Sequence, residues 1–146
     1  MRLPEFNENG DLPVGVHRAT WNELLERFGS GSQQRMRCTR ILSYVHDVAA
    51  RTGHLSRFVI FGSYVTAKTD PNDVDVILVM DDDFHQDEVP LEMRGLFDHP
   101  VAQARYGASV FWIKPSALIA DQLDDFIAHW QVKRNGSKRG IIEVLL

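Results

Sequence analysis

Phe58-Val-Ile-Phe-Gly-Ser-Tyr-Val-Thr-Ala-Lys-Thr-Asp-Pro-Asn-Asp-Val-Asp-Val-Ile-Leu-Val-Met80 is the stretch on which the reading of this chain turns. An apolar run closes on Gly62-Ser63. Nine residues follow, and a second apolar run opens with Asp73-Val74-Asp75. Phe58–Phe61 and Val74–Met80 are short, rich in β-branched and aromatic residues, and almost wholly apolar. That pattern predicts neighbouring central strands buried on both faces. Residues i and i+2 of a strand share a face, so Asp73 and Asp75 aim at one spot. The Gly-Ser turn can bring backbone N–H groups to the same spot.

Such an arrangement suits a metal-bound polyphosphate. Phosphoryl and nucleotidyl transfer asks a protein for positioning and charge neutralisation more than for covalent chemistry. Magnesium takes one or two carboxylates and completes its shell with substrate phosphates and water. Two aspartates about 6 Å apart, at an effective dielectric near 20, repel by roughly 2–3 kcal/mol, which a cation would relieve. Gly62 lets the backbone approach phosphates closely. The Ser63 hydroxyl and the N–H groups after it can bond them, with help from a helix starting at Tyr64. The structural alternative is that an Asp-Pro-Asn-Asp turn before a strand uses its aspartates only to cap the loop.

Outward from this segment the elements alternate. Residues 1–19 carry two prolines and Asn9-Gly10-Asp11, and read as an irregular arm with room for a short hairpin. Thr20-Trp-Asn-Glu23 has the form of a capping box, opening a short helix to about Phe28. After the Gly29–Ser32 turn, Met36, Cys38, Ile41, Leu42, Val45, Val48 and Ala49 fall at mostly helical spacing. They predict a helix from about Ser32 to Arg51, stopped by Gly53. One or two short helices are expected around Leu91–Phe97, and a third strand over Ala108–Ile113. Pro115-Ser116 opens a helix with Ile119, Leu123, Phe126, Ile127 and Trp130 on one face. Lys133–Arg139 is a basic turn, and Gly140–Leu146 a last strand. The fold class expected is α/β (α+β): one domain over 1–146, a small mixed sheet with helices packed on it.

Composition narrows the function. The 146 residues fit one core, and 44% hydrophobic with 25% charged residues is ordinary for a water-soluble domain. A net charge of −4 argues against broad adhesion to DNA or anionic membrane, though not against a local basic patch. The single cysteine, Cys38, allows no internal disulfide and no zinc site of its own. The first ten residues do not read as a signal peptide. No apolar run approaches the roughly 18–20 residues of a membrane span. A cytoplasmic location is expected.

Segment 58–80 resembles the signature of the DNA polymerase β-type nucleotidyltransferase superfamily: apolar-Gly-Ser, a spacer, then Asp-apolar-Asp-apolar. The chain's small size is similar to that of the minimal nucleotidyltransferases, compact bacterial proteins that include antitoxins able to adenylylate a partner toxin. Pro4–Pro13, Gly15-Val-His17, Asp70–Asp73 and Lys138–Leu145 resemble a bacterial group of nucleotidyltransferase-like proteins over most of the chain. The resemblance implies a nucleotidyltransferase fold that transfers a nucleoside monophosphate from a triphosphate, ATP for instance, to a hydroxyl on a protein or RNA. It implies Mg²⁺ or Mn²⁺ held by Asp73 and Asp75, which would also be the catalytic residues, and phosphates held by Gly62 and Ser63. Tyr64 stands where many minimal members carry Arg, and Lys68 is the candidate to supply that cation. The alternative is a catalytically degenerate module on the same fold, acting as antitoxin or regulatory subunit of a toxin-like partner.

That alternative has a residue behind it. Active members of the superfamily usually add a third carboxylate from a later strand. Here the candidate strand, Ala108–Ile113, holds no acid, and Ser109 occupies the expected place. Asp81 is roughly 26 Å from Asp73 along a straight strand at 3.3 Å per residue, which leaves Asp98 and Glu143 as replacements from elsewhere. Asp81–Asp83 reads as a solvated strand end, His46 and His129 as ordinary helix residues, and Trp112 and Trp130 as core before base-stacking platforms. His99, next to Asp98, is within reach of a nearby cleft. The Lys133–Arg139 cluster reads as a solvated hairpin turn or as a contact for nucleotide phosphate, RNA or an acidic partner.

Overall fold

The computed structural model describes residues 3–118 and 122–146. Five strands form one mixed sheet: β1 (Val16–Ala19), β2 (Leu55–Phe61), β3 (Val74–Met80), β4 (Ala108–Ile113) and β5 (Ile141–Val144), in the order β1-β5-β2-β3-β4. β1 runs parallel to β5 and β3 parallel to β4, while β2 is antiparallel to both β3 and β5. The helices are α1 (Trp21–Phe28), α2 (Gln33–Arg51), α3 (His99–Tyr106) and α4 (Leu123–His129). The fold is α+β, as expected.

The period of two along the strands assigns each face its cover. Phe58 and Ile60 of β2 and Val76 and Leu78 of β3 meet Leu24 and Phe28 of α1 and Leu42 and Val45 of α2. On the other face Val59, Ile77, Val79 and Ile141 meet Ile127 of α4, with Phe61, Phe126 and Trp130 at the margin. β3 along most of its length, and β2 over Phe58–Ile60, are thus buried from both sides, which explains their apolar runs.

Local chemistry sets the helix ends. Thr20 accepts from the Glu23 backbone N–H at 3.1 Å, and the Glu23 carboxylate accepts from the Thr20 N–H at 3.2 Å. Removing such a cap typically costs about 1 kcal/mol. Ser32 caps α2 through the Arg35 N–H, and Thr52 follows its last turn, with Gly53 at φ +76° ending the run.

Three expectations need correction. The arm over 1–19 is not irregular throughout: Val16–Ala19 is an edge strand, and Leu12 is fully buried. An edge strand needs little apolar alternation, because backbone pairing with β5 holds it. The helix expected at Leu91–Phe97 is a 3₁₀ turn over Arg94–Phe97, and the α-helix begins at His99. Pro90 and Pro100 break the register, and Asp98 caps the later start by accepting from the Val101 N–H at 3.3 Å. The helix expected from Pro115 is a 3₁₀ turn there, Pro115–Ala117, and α4 begins only at Leu123. Ile119 lies outside the described residues, whereas Leu123, Phe126, Ile127 and Trp130 do face the sheet.

Candidate functional site

The end of β2, the start of β3 and the start of β4 meet at one edge of the molecule. Asp75 is in register with Phe61 on β2 and with Ser109 on β4. A cleft of about 860 Å³ opens there. Gly62, Ser63, Asp73, Asp75 and Ser109 line it together, and Lys133, Arg134 and Arg139 form its cationic side. The sequence-predicted carboxylates and the Gly-Ser turn therefore converge.

The electrostatics of the pair are those of two acids short of counter-charge. The Asp75 carboxyl is pushed up to about 6. Burial is the main cause and neighbouring Asp73 the second, opposed by a hydrogen bond with the Ser109 side chain and by Arg139 and Arg134. Burial raises Asp73 as well. Two carboxylates that resist ionisation, with cations one layer away, fit a divalent ion that keeps water and substrate phosphates as its other ligands.

Gly62 adopts φ +81°, and a Cβ there would overlap Asp75 Oδ2. The glycine makes room for the carboxylate, so its role is wider than access for phosphate. The turn after it, Ser63–Val65, is a single 3₁₀ turn and not the start of a helix. Arg35 braces this turn from inside. Its Nη1 donates to the carbonyls of Tyr64 at 2.8 Å and Phe28 at 3.3 Å, and its Nη2 to Thr66 at 3.2 Å and to Lys68. Burial lowers the proton affinity of this guanidinium, which stays a cation at neutral pH.

Two expected ligands are elsewhere. Tyr64 is fully buried in the helix-side core, its hydroxyl 2.7 Å from Thr39 Oγ1. It is a packing residue, because the 3₁₀ turn points it away from the cleft. Lys68 is exposed and borders an adjoining hollow with Ser63, Lys133 and Arg139. It stands across the turn from the aspartates.

The replacement acids do not reach the pair. Asp98 caps α3, and both oxygens of Glu143 are engaged by Arg57, at 3.1 Å from Nε and 2.6 Å from Nη2. Asp81, at the far end of β3, accepts from the Asp83 N–H at 3.1 Å and meets His54 Nδ1 at 2.8 Å. Among the described residues no three His, Cys, Asp or Glu side chains come together as a metal site.

The sequence points His99 toward a cleft and reads Trp130 as core before stacking platform, but gives Phe61 and Phe111 no place in an aromatic wall. Phe61, Phe111, Trp130 and His99 line the same cleft. Trp130 lies 4.8 Å from the rings of both Phe61 and Phe111, and His99 stacks on Phe111 at 4.5 Å. The indole Nε1 of Trp130 and Nε2 of His99 are buried without a partner. Period two held the signal: Phe61 is opposite Asp75, and Phe111 is two residues beyond Ser109. Trp112 is core-bound as expected, donating to the Phe97 carbonyl at 2.8 Å. His129, read as an ordinary helix residue, borders the cleft.

Over residues 4–145 the chain matches, and belongs to, the DUF6932 family, a family of unknown function. No curated protein and no solved structure matches it.

Proposed function

We propose that the cleft binds a nucleoside triphosphate with Mg²⁺ or Mn²⁺ and transfers its nucleoside monophosphate to a hydroxyl on a protein or RNA. One observation carries this reading: paired carboxylates, a Gly-Ser turn, three cations and an aromatic wall share one cleft. Asp73 and Asp75 would hold the ion, which when bound neutralises the charge gathering on the phosphates. Gly62 and Ser63 hold the phosphate chain against Lys133, Arg134 and Arg139. Phe61, Phe111 and Trp130 offer a face to the base. The acceptor oxygen attacks the α-phosphorus, the bond to the bridging oxygen breaks, and pyrophosphate leaves. A carboxylate of the pair would take the acceptor proton.

The test is incubation with labelled triphosphates, Mg²⁺ or Mn²⁺, and candidate acceptors. Label transfer is expected from the wild type and lost in Asp73→Asn and Asp75→Asn. Transfer that persists in both variants would overturn the mechanism.

Ser109 favours a second reading. It is the register partner of Asp75 at the place of a third acid, so a non-catalytic module that binds a toxin-like partner is the alternative. Calorimetry separates the two. Micromolar binding of Mg²⁺-ATP that requires both aspartates speaks for the enzyme. No nucleotide binding, with a stable protein complex, speaks for the module. Among the described residues no helix is long and apolar enough to cross a membrane.

A further inference from the structure

Charge is segregated along β3. Past its C-terminal end stand Asp82, Asp83, Asp87, Glu88 and Glu92, all exposed. Five negative charges exceed the net of −4, so the rest of the chain carries +1. The aspartate pair lies at the opposite end of the strand, roughly 20 Å away at 3.3 Å per residue. At that end cations gather on two sides of the cleft.

Lys133, Arg134 and Arg139 stand on the side of β5. The other group lies toward β4. Gln34 Nε2 ties the start of α2 to the carbonyls of Pro71 at 2.9 Å and Asn72 at 3.1 Å, and Asn72 lines the cleft. Arg37, Arg40 and Tyr44 continue from there along one exposed face of α2, at helical spacing. Tyr44 is 5.2 Å from Tyr106, the last residue of α3, and Arg105 is exposed beside it. Arg37, Arg40 and Arg105 make no ion pair among the described residues. Of the facing acids, Asp47 is held by Arg51 at 3.0 Å, and Asp70 shares a hollow with Arg37 and Arg40 without pairing to either.

We infer that this ridge binds single-stranded RNA and leads its terminal hydroxyl to the cleft. Unpaired arginines beside the exposed ring of Tyr44, itself backed by half-buried Tyr106, hold a flexible polyanion by phosphate contacts and base stacking. An acidic protein would match the charge but would have no use for the paired rings. The five exposed acids at the far end repel the strand and confine it toward the cleft end of the molecule. The triphosphate then occupies the β5 side and the acceptor the β4 side. The inference rests on the nucleotidyltransferase reading for its chemistry, and its test separates the two.

The experiment is fluorescence anisotropy with a labelled RNA 12-mer, in the full chain, across a salt series. Arg37→Glu/Arg40→Glu/Arg105→Glu should weaken binding at least tenfold and flatten the log–log salt slope by about 2. Tyr44→Ala should weaken it roughly fivefold or more. Arg18→Glu, on the exposed side of β1, should leave it within twofold, and thermal melts check that each variant folds. Calorimetry of Mg²⁺-ATP on the triple variant should match the wild type. RNA affinity unchanged by charge reversal, or an acidic peptide bound more tightly than RNA, overturns the ridge. If Asp73→Asn abolishes nucleotide binding while the ridge variants leave RNA affinity unchanged, the cleft reading stands and the RNA inference falls.

Discussion

Gly62 and Asp75 share one small volume. The glycine sits at φ +81°, and a Cβ built on it would overlap Asp75 Oδ2 and lie 3.0 Å from its Cγ. The turn and the strand are thus a single device, in which the absence of a side chain on one fixes the carboxylate of the other.

Gly62→Ala should therefore act twice. A positive φ on a residue with a Cβ, together with the displaced carboxylate, should lower stability by about 1–3 kcal/mol, or several degrees in Tm at about 2–4 °C per kcal/mol. Mg²⁺-nucleotide affinity should fall by at least tenfold, since Asp75 must swing away. Melting curves and calorimetry check both; a variant matching the wild type in both would mean that the carboxylate moves freely.

Asp75 should make the metal-free protein less stable as pH rises. Its folded carboxyl holds a proton up to about pH 6, against an ordinary value of 3.8. The native state therefore binds more protons than the unfolded chain in this window. The favourable term is fully present below about 3.8, declines as pH rises through about 6, and is absent above it. About two pH units correspond to roughly 2–3 kcal/mol. Asp75→Asn removes the effect, so the variant should exceed the wild type in stability at pH 8 and lose most of that lead by about pH 4. Urea midpoints at the two pH values check this, and parallel curves would contradict it.

Ser109→Asp should add a third acid beside Asp75. Without metal the variant should be less stable than the wild type, because burial and Asp73 already resist ionisation of Asp75. In millimolar Mn²⁺ it should recover and bind the ion at least tenfold more tightly. Equal Mn²⁺ affinity in the two proteins would mean that residue 109 does not face the pair.

Arg35→Met should unfasten the turn. Four carbonyls lose their donor, among them those of Tyr64 and Thr66. Leaving buried acceptors unpaired costs about 1–3 kcal/mol each where they cannot relax, so a total loss of about 3 kcal/mol or more is expected in urea denaturation. Arg35→Lys should retain part of it. A loss below about 1 kcal/mol would show that water replaces the guanidinium.

Much of the site was legible because its parts are local. Val74–Met80 and Ala108–Ile113 are strands with the bounds their apolar runs suggest, and Ser109, which the resemblance puts at the place of a third acid, is the register partner of Asp75. The illegible parts are those that tertiary contact decides. Tyr64 follows Gly-Ser in sequence, but a 3₁₀ turn sends it into the core. Trp130 has core-like spacing on α4, yet the helix stops at the cleft and leaves the indole as its wall. Val16–Ala19 carries His17 and Arg18 and shows no apolar face, since β5 alone defines it as a strand. In sequence, Lys133–Arg139 reads as a solvated turn or as a contact for phosphate, RNA or an acidic partner. Asp11, from the other end of the chain, draws Lys133 and Arg139 to the cleft.

The position of β5 between β1 and β2 joins the two ends of the chain in one sheet. Val16 pairs with Ile141, 125 positions later in the chain (16 to 141), whereas β2 and β3 are joined by residues 62–73 alone. Closing the long loop is the slower event. The aspartates belong to strand pairings of short sequence separation, whereas the Val132–Lys138 turn that carries Lys133 and Arg134 leads into β5 and so belongs with the pairings of longest separation. The paired acids and the cations that face them across the cleft are thus contributed by distant stretches of sequence, and only the closed sheet brings the two charges to one place.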